Sequence, residues 1–187
     1  VLSRRPLTIK HHKVIVHETD FTDLDKNKEA FTVDAVFCCI GTTIAKAGSQ
    51  QAFRNVDYDI PVHVAQIALQ MGVSSIHIVS AMGADKHSPI FYNKVKGEME
   101  EAVMQSGLAG VYIYRPSLLL GNRSEFRMGE LVAQKMLKPL RFIFAGPLSK
   151  YKPIEANQVA KAMLVTYFSN HTGLEIIEND RLLKLSE

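Results

Sequence analysis

The sequence predicts an α/β fold, a doubly wound parallel sheet in a single domain spanning residues 1–187. Segments with the length and apolar character of buried strands alternate with helical segments along the whole chain, which is the pattern of such folds. Several strand segments are apolar on both faces, as are the strands of a parallel sheet covered by helices. No internal repeat, low-complexity tract or linker divides the chain, and 187 residues suffice for one substantial core.

Three strands and a long helix are predicted in the first part of the chain. VLSRRP (1–6) reads as the end of a strand followed by a basic turn, and KVIVHETD (13–20) reads as a second strand. DAVFCCIG (34–41) is a continuous apolar run, which predicts a buried strand. Apolar residues at helical spacing predict a helix from about 49 to 71, and Gly72 follows as a C-cap residue.

Strands and helices continue to alternate in the rest of the chain. SIHIVS (75–80) predicts a buried strand, and a helix from about 89 to 106 is opened by Pro89 and stopped by Gly107. The remaining predicted elements are strands at 110–115 and 174–179, helices at about 125–137, 155–168 and 180–187, and a short strand or extended loop at 141–146.

Composition and charge argue against several classes of protein. A net charge of +3 with scattered Lys and Arg does not indicate a nucleic-acid partner, and no apolar run has the length of a membrane span. The histidines show no metal-ligand spacing with carboxylates or cysteines, so no metal site is predicted. Cys38 and Cys39 are adjacent in a predicted strand and point to opposite faces, which indicates two buried thiols in a reducing compartment. We therefore predict a cytosolic protein.

The segment from Ser80 to Lys96 carries the candidate catalytic residues. Ser80 ends a predicted strand, and the spacing of Tyr92 and Lys96 puts the phenol and the ammonium on one face of the predicted helix. A tyrosine, with a pKa of about 10, is a poor acid–base group at neutral pH unless a nearby cation stabilises its phenolate. Lys96 would supply that charge and hold a ribose hydroxyl, while Ser80 would hydrogen-bond a substrate carbonyl as negative charge develops on its oxygen. The bare Tyr-x-x-x-Lys spacing is also typical of a surface helix with a solvated lysine, but the strand-ending serine before it favours the catalytic interpretation.

Arg4 and Arg5 end the first strand of the sequence, in a position where dinucleotide-binding folds contact the adenosine ribose. An acidic residue there favours the free 2′-hydroxyl, whereas arginine accommodates a 2′-phosphate. Two arginines without an acid therefore predict NADP(H) as the cofactor. An ordinary exposed basic turn is the alternative.

Five residues at the ends of the next two strands are further candidates for contact with the dinucleotide. Asp20 and Phe21 end one strand, where a carboxylate can accept a hydrogen bond from an adenine amino group. Asp20 is equally compatible with a plain turn residue or an N-cap. Gly41, Thr42 and Thr43 end the following strand, where a glycine lets the backbone approach a dinucleotide closely, although a tight turn explains the glycine nearly as well.

Taken together, these residues resemble the short-chain dehydrogenase/reductase superfamily in its atypical branch and, more narrowly, the Tat-interactive protein (oxidoreductase) family, including its bacterial members. The matching segments span nearly the whole chain and are LSRRP, FCCIGTTIAKAGS, FRNVDYD, VSAMGAD, FYNKVKGEME, RPSLLLGNR and EIIENDRLLKL. The resemblance implies a Rossmann-like fold, NADP(H) as cofactor, and a catalytic set at Ser80, Tyr92 and Lys96. It also implies a group of residues near the dinucleotide (Arg4, Arg5, Asp20, Gly41, Thr42) and another beside its nicotinamide end (Arg115, Pro116, Ser117).

The chain departs from this family's pattern in three ways. The first strand and the glycine-rich phosphate loop of such folds are missing from the sequence, so we expect residues before Val1 in the natural protein. Ser80 is followed by Ala81, where many relatives have a second serine. The asparagine that completes a proton relay in classical relatives has no clear counterpart, and Asn55 and Asp57 are the candidates.

The sequence thus predicts an NADPH-dependent oxidoreductase that transfers hydride to or from a small carbonyl or alcohol substrate. The alternative is an NADP(H)-sensing regulatory protein that binds a protein partner with little or no catalysis, and a third possibility is a truncated chain that binds no cofactor. A small region at about 122–155 is expected to cover the substrate. Its candidate wall residues, equally compatible with plain core, are Phe126, Met128, Leu131, Phe142 and Phe144.

Overall fold

A computed structural model of the chain describes residues 1–9, 11–120, 150–169 and 172–187. These residues form two compact units. The first unit comprises Val1–Val79, Ala84–Tyr112 and Thr172–Glu175, and the second comprises Ser80–Gly83 with the described residues of Ile113–His171 and Ile176–Glu187. That the chain forms a single domain, and that a small region covers the substrate, both remain predictions. The elements predicted between 125 and 146, and the candidate wall residues from Phe126 to Phe144, lie outside the described residues.

The strands are short and pair in parallel wherever the structure defines their register. In chain order they are β1 (Leu2–Ser3), β2 (His17–Glu18), β3 (Ala35–Cys38), β4 (Ser75–Val79), β5 (Gly110–Arg115), β6 (Leu119–Leu120), β7 (Ile154–Glu155) and β8 (Gly173–Glu178). A four-stranded sheet has the order β3–β4–β5–β8, while β1 pairs with β2 and β6 with β7. The β1–β2, β3–β4 and β6–β7 pairs are parallel, which confirms the predicted α/β class with a parallel sheet.

The helices follow the predicted pattern with different ends. They are α1 (Ile44–Ala47), α2 (Gln50–Arg54), α3 (Ile60–Gln70), α4 (Phe91–Met104), α5 (Ala156–Phe168) and α6 (Asn179–Leu185), with a 3₁₀ helix at Leu24–Phe31 and a π-helical turn at Asn55–Asp59. Pro89 does not open α4, because Ile90 has an extended backbone (φ −84°, ψ 114°) and the helix begins at Phe91. The strand predicted at 13–20 shrinks to β2 because its partner β1 offers only two residues for pairing.

Neither a membrane-spanning helix nor a metal cluster occurs in the described part of the chain. None of its helices combines the length and the apolar character that crossing a bilayer requires. The same residues contain no group of three or more His, Cys, Asp or Glu side chains arranged to hold a metal ion.

Three aromatic rings form a stack on one face of the sheet in the first unit. His77 of β4 is fully buried between Phe37, its register partner on β3, and Tyr112 of β5. The ring centroids are 4.6 Å apart on each side, and the rings are within 17° of parallel. Burial lowers the pKa of His77 to about 4, so the imidazole is neutral at physiological pH.

We expect His77 to make folding stability depend on pH between about 6.5 and 4. The unfolded chain takes up a proton there and the folded protein does not, so stability falls as pH falls, by roughly 1.4 kcal/mol per pH unit and about 3 kcal/mol in all. Urea unfolding at several pH values measures this slope. His77→Phe keeps a ring in the stack but cannot take up a proton. It should therefore reduce the dependence of the unfolding free energy on pH by roughly 1.4 kcal/mol per pH unit in this range. Equal slopes in the two proteins would contradict the assignment.

Candidate functional site

Helix α4 carries two of the three candidate catalytic residues, one helical turn apart. Tyr92 lies in the first turn and is half-buried, with its ring tilted against that of Phe53 at a centroid distance of 5.5 Å. Lys96 is only 4% exposed. Tyr92 is therefore partly accessible to water, whereas Lys96 is almost completely shielded from it.

Gly97 lets the segment that precedes α4 pack directly on the helix. The Asp85 N–H donates a 3.0 Å hydrogen bond to the Asn93 carbonyl, and Lys86 forms an ion pair with Glu101. A Cβ at position 97 would lie 2.7 Å from the Cα of Asp85 and would overlap the backbone nitrogen of Lys86. Only glycine fits here without moving the backbone beside Lys96.

A buried aspartate forms an ion pair with Lys96. The Nζ of Lys96 lies 2.8 Å from Oδ1 of Asp57, and the Thr42 N–H donates a 2.8 Å hydrogen bond to Oδ2. The other candidate for the missing relay asparagine, Asn55, is exposed and hydrogen-bonds Gln51. Sequence reasoning did not anticipate the pairing of Asp57 with Lys96, because nothing in the spacing of the two residues predicts a contact.

Ser80, the third candidate catalytic residue, belongs to the second unit. Its N–H donates a 2.7 Å hydrogen bond to the Tyr114 carbonyl, and the Met82 N–H donates one of 3.0 Å to the Pro116 carbonyl. Ser80 is 5% exposed, and its hydroxyl has no hydrogen-bond partner among the described residues. A buried hydroxyl without a partner is unusual in a folded protein and calls for an explanation.

Four of the predicted dinucleotide-binding residues line one cavity of about 290 Å³ in the first unit. The complete lining consists of Leu2, Ser3, Arg4, Asp20, Phe21, Cys39, Ile40, Gly41, Val56 and Ile60. Arg5 is exposed next to this lining in the chain. The Thr43 hydroxyl accepts a 3.2 Å hydrogen bond from the Lys46 N–H and so caps α1. The structure thus brings together Arg4, Asp20, Phe21 and Gly41 in one lining, while the Thr42 N–H bonds the distant Asp57 and Thr43 caps α1.

The turn at Asp20 and Phe21 has an unusual conformation. Phe21 has a φ of 65°, in the left-handed region that bulky residues rarely adopt. Hydrogen bonds from the Thr22 N–H and hydroxyl, both to Oδ1, lower the pKa of Asp20 and keep its carboxylate ionised. Backbone strain of this kind is concentrated at functional sites.

The residues predicted beside the nicotinamide make contacts within the second unit. Arg115 forms an ion pair of 2.9 Å with Glu178. The Ser117 hydroxyl donates to the Lys152 carbonyl at 2.6 Å, and the Ser117 N–H donates to the side-chain oxygen of Asn179 at 3.0 Å. The Asn179 amide in turn donates to the Lys152 carbonyl at 2.8 Å. These contacts give Ser117 a structural role, and its place beside the nicotinamide stays a prediction.

Solved structures with the same architecture define the class of fold. MoeE5 in complex with UDP-glucose and NAD superposes with a TM-score of 0.69 at 13% identity, covering 94% of this chain and 65% of MoeE5. The UDP-N-acetylglucosamine 4-epimerase from Bacillus cereus gives a TM-score of 0.65 at 16% identity, covering 95% of this chain and 68% of the epimerase. The fold is therefore a Rossmann-like α/β fold, as predicted.

Relatives at higher identity define the family. Rat protein HTATIP2 is 34% identical over 192 residues, which cover all of this chain and 77% of the rat protein. The mitochondrial protein FMP52 of Candida albicans is 36% identical over 137 residues, which cover 73% of this chain and 59% of that protein. The chain belongs to the HTATIP2 family of atypical short-chain dehydrogenases/reductases, which confirms the resemblance, although no family model matches it.

The predicted cytosolic location is wrong by comparison with the fungal relatives. The FMP52 proteins of Candida albicans, Lodderomyces elongisporus and Emericella nidulans are all named as mitochondrial. The prediction depended on unpaired cysteines, which indicate a reducing environment but do not distinguish one reducing compartment from another.

Proposed function

We propose that this protein is an NADPH-dependent oxidoreductase that transfers hydride to or from a small carbonyl or alcohol substrate. The buried Ser80 hydroxyl, unpartnered among the described residues, is the observation that carries the proposal. Leaving such a group without a hydrogen bond costs about 1–3 kcal/mol, and a substrate carbonyl oxygen is a partner that would repay this in the bound state. As negative charge develops on that oxygen during reduction, the Ser80 hydroxyl stabilises it.

Tyr92 and Lys96 supply the proton chemistry in this proposal. The Tyr92 phenol donates its proton to the carbonyl oxygen in reduction and accepts one from the alcohol in the reverse reaction. The buried ammonium of Lys96, one turn along α4, stabilises the phenolate and holds a ribose hydroxyl of the cofactor. When bound, the dinucleotide supplies or accepts the hydride.

The cavity lined by Arg4, Asp20, Phe21 and Gly41 suits the adenosine end of a dinucleotide. Its volume of about 290 Å³ is near the lower end of the range for small-molecule sites. The ionised Asp20 carboxylate can accept from the adenine amino group, and Arg4 can bind a 2′-phosphate as a charge-assisted contact. The MoeE5 structure contains NAD, which supports a nicotinamide dinucleotide; the preference for NADPH is our inference from Arg4.

Fluorescence titration with NADPH and with NADH tests the cofactor assignment. We expect NADPH to bind at least about 10-fold more tightly, and Arg4→Ala to remove most of that preference because the 2′-phosphate loses its cation. Lys13→Ala, which removes an exposed charge outside the cavity lining, is the matched control. Equal affinities for the two nucleotides in the wild type would contradict the assignment.

Oxidation of bound NADPH by a panel of aldehydes, ketones and quinones separates the enzyme from the cofactor sensor. An enzyme oxidises NADPH with at least one member of the panel. Tight NADPH binding without oxidation by any of them would instead support the regulatory alternative.

A further inference from the structure

Asp57 has a buried carboxylate whose two oxygen atoms bond different parts of the first unit. One oxygen pairs with the Lys96 ammonium on α4, and the other accepts from the Thr42 N–H after β3. The Asp57 side chain is 1% exposed and that of Lys96 is 5% exposed. An ion pair shielded this well from water holds both side chains in one position, because separating them would leave a buried charge unpaired. An exposed ion pair, in contrast, contributes little to stability.

The backbone around Asp57 brings its carboxylate to this position. Pro61 has no N–H, and in a regular helix its ring would collide with the carbonyl of Asp57. The chain instead makes the π-helical turn Asn55–Asp59 between α2 and α3, and such turns are frequent at functional sites. Gly41 leaves room nearby, since a Cβ there would lie 3.3 Å from Oδ1 of Asp57.

We propose that Asp57 is a positioning residue that holds the Lys96 ammonium in place and ties it to the Gly41–Thr43 loop. The inference rests on the proposed function, in which Lys96 acts on Tyr92 and on the cofactor ribose. A lysine side chain has several rotatable bonds, and a buried ammonium without a counter-charge is strongly disfavoured. The Asp57 carboxylate supplies that counter-charge and selects one conformation of the lysine side chain.

The link to Thr42 gives Asp57 a second effect. Gly41 lines the cavity proposed for adenosine, and Thr42 is the next residue in the chain. Because one carboxylate bonds both the Thr42 N–H and the Lys96 ammonium, it fixes the position of the Gly41–Thr43 loop relative to the lysine. The parts of the proposed dinucleotide site that lie in the first unit thereby keep a constant distance from each other.

A double-mutant cycle on turnover tests the inference. We expect Lys96→Met to lower kcat/KM for an accepted carbonyl about 1000-fold and Asp57→Asn to lower it about 100-fold. If Asp57 acts through Lys96, the double variant should match Lys96→Met alone within about 3-fold. Effects that multiply, to roughly a 10⁵-fold loss, would show that Asp57 acts independently of Lys96 and would overturn the inference.

Two further variants control the cycle. Asp59→Asn removes an exposed carboxylate from the same π-helical turn and should leave turnover unchanged. If Asp57→Asn does not fold, Asp57→Glu keeps the charge but moves it by one methylene, and we expect about a 10-fold loss in a folded protein. Wild-type turnover in Asp57→Glu would then overturn the inference.

The two proposals fail in different ways. If the wild type neither binds nor oxidises NADPH, the proposed function fails and takes this inference with it. If the wild type is active and Lys96→Met is impaired, but Asp57→Asn turns over like the wild type, only the role of Asp57 is wrong.

Discussion

Replacing Ser80 with alanine is expected to lower turnover about 100-fold or more while the thermal unfolding midpoint stays the same or rises. Loss of one preorganised donor to a developing oxyanion typically has this effect on rate. The stability effect has the opposite sign because the buried wild-type hydroxyl lacks a hydrogen-bond partner among the described residues, and alanine removes that penalty. Initial rates of NADPH oxidation and calorimetry on the same preparations measure both quantities.

Two comparison variants sharpen this test. Tyr92→Phe should also lose turnover, with cofactor affinity nearly intact, but without a gain in stability. Ser186→Ala removes a buried hydroxyl that donates a 2.8 Å hydrogen bond to the Leu183 carbonyl. This variant should therefore keep full turnover, while its free energy of unfolding falls by about 1 kcal/mol. A Ser80→Ala protein that is clearly less stable, or fully active, would refute the role assigned to this hydroxyl.

Gly97→Ala is expected to lower the free energy of unfolding by about 3 kcal/mol or more. The added methyl group would overlap backbone atoms of Asp85 and Lys86, which cannot rotate away as a flexible side chain does. Relief requires α4 to separate from the segment that precedes it, and this also displaces Lys96. Denaturant unfolding monitored by circular dichroism measures the loss.

Gly48→Ala is the matched control for this substitution. Gly48 has a φ of 81°, and no heavy atom lies within 4 Å of the position that an alanine methyl carbon would take, so only the backbone conformation resists alanine there. We expect a loss of about 1 kcal/mol. Similar losses in the two variants would show that steric overlap at Gly97 is not the dominant cost.

Most of the described fold was predictable because its elements depend on local sequence pattern. The apolar run before Ser80 forms β4, with its three central residues buried, and the helix predicted at 155–168 is α5 (Ala156–Phe168). The predictions that failed concern how far a strand pairs with its neighbour, not whether its residues favour a strand. The segment at 13–20 has strand character, but a strand extends only as far as its neighbour allows, and β1 is two residues long.

The candidate site was predictable in its residue types and much less in its contacts. Tyr92 and Lys96 are linked by helical spacing, which sequence shows directly. The pairing of Asp57 with Lys96 joins distant segments, and its only local signal is the proline at position 61, which disturbs the helix. The left-handed conformation of Phe21 has no sequence signal either, since such strain is imposed by the surrounding structure.

The hydrogen bonds among Ser117, Lys152 and Asn179 have a consequence for how this chain tolerates substitution. Ser117 lies before residue 121, and Lys152 and Asn179 lie after residue 149, so these hydrogen bonds join the two stretches of chain on either side of residues 121–149. The parallel pairing of β6 with β7 joins the same two stretches. Each of these contacts is made by residues outside 121–149, so substitutions confined to residues 121–149 remove none of them.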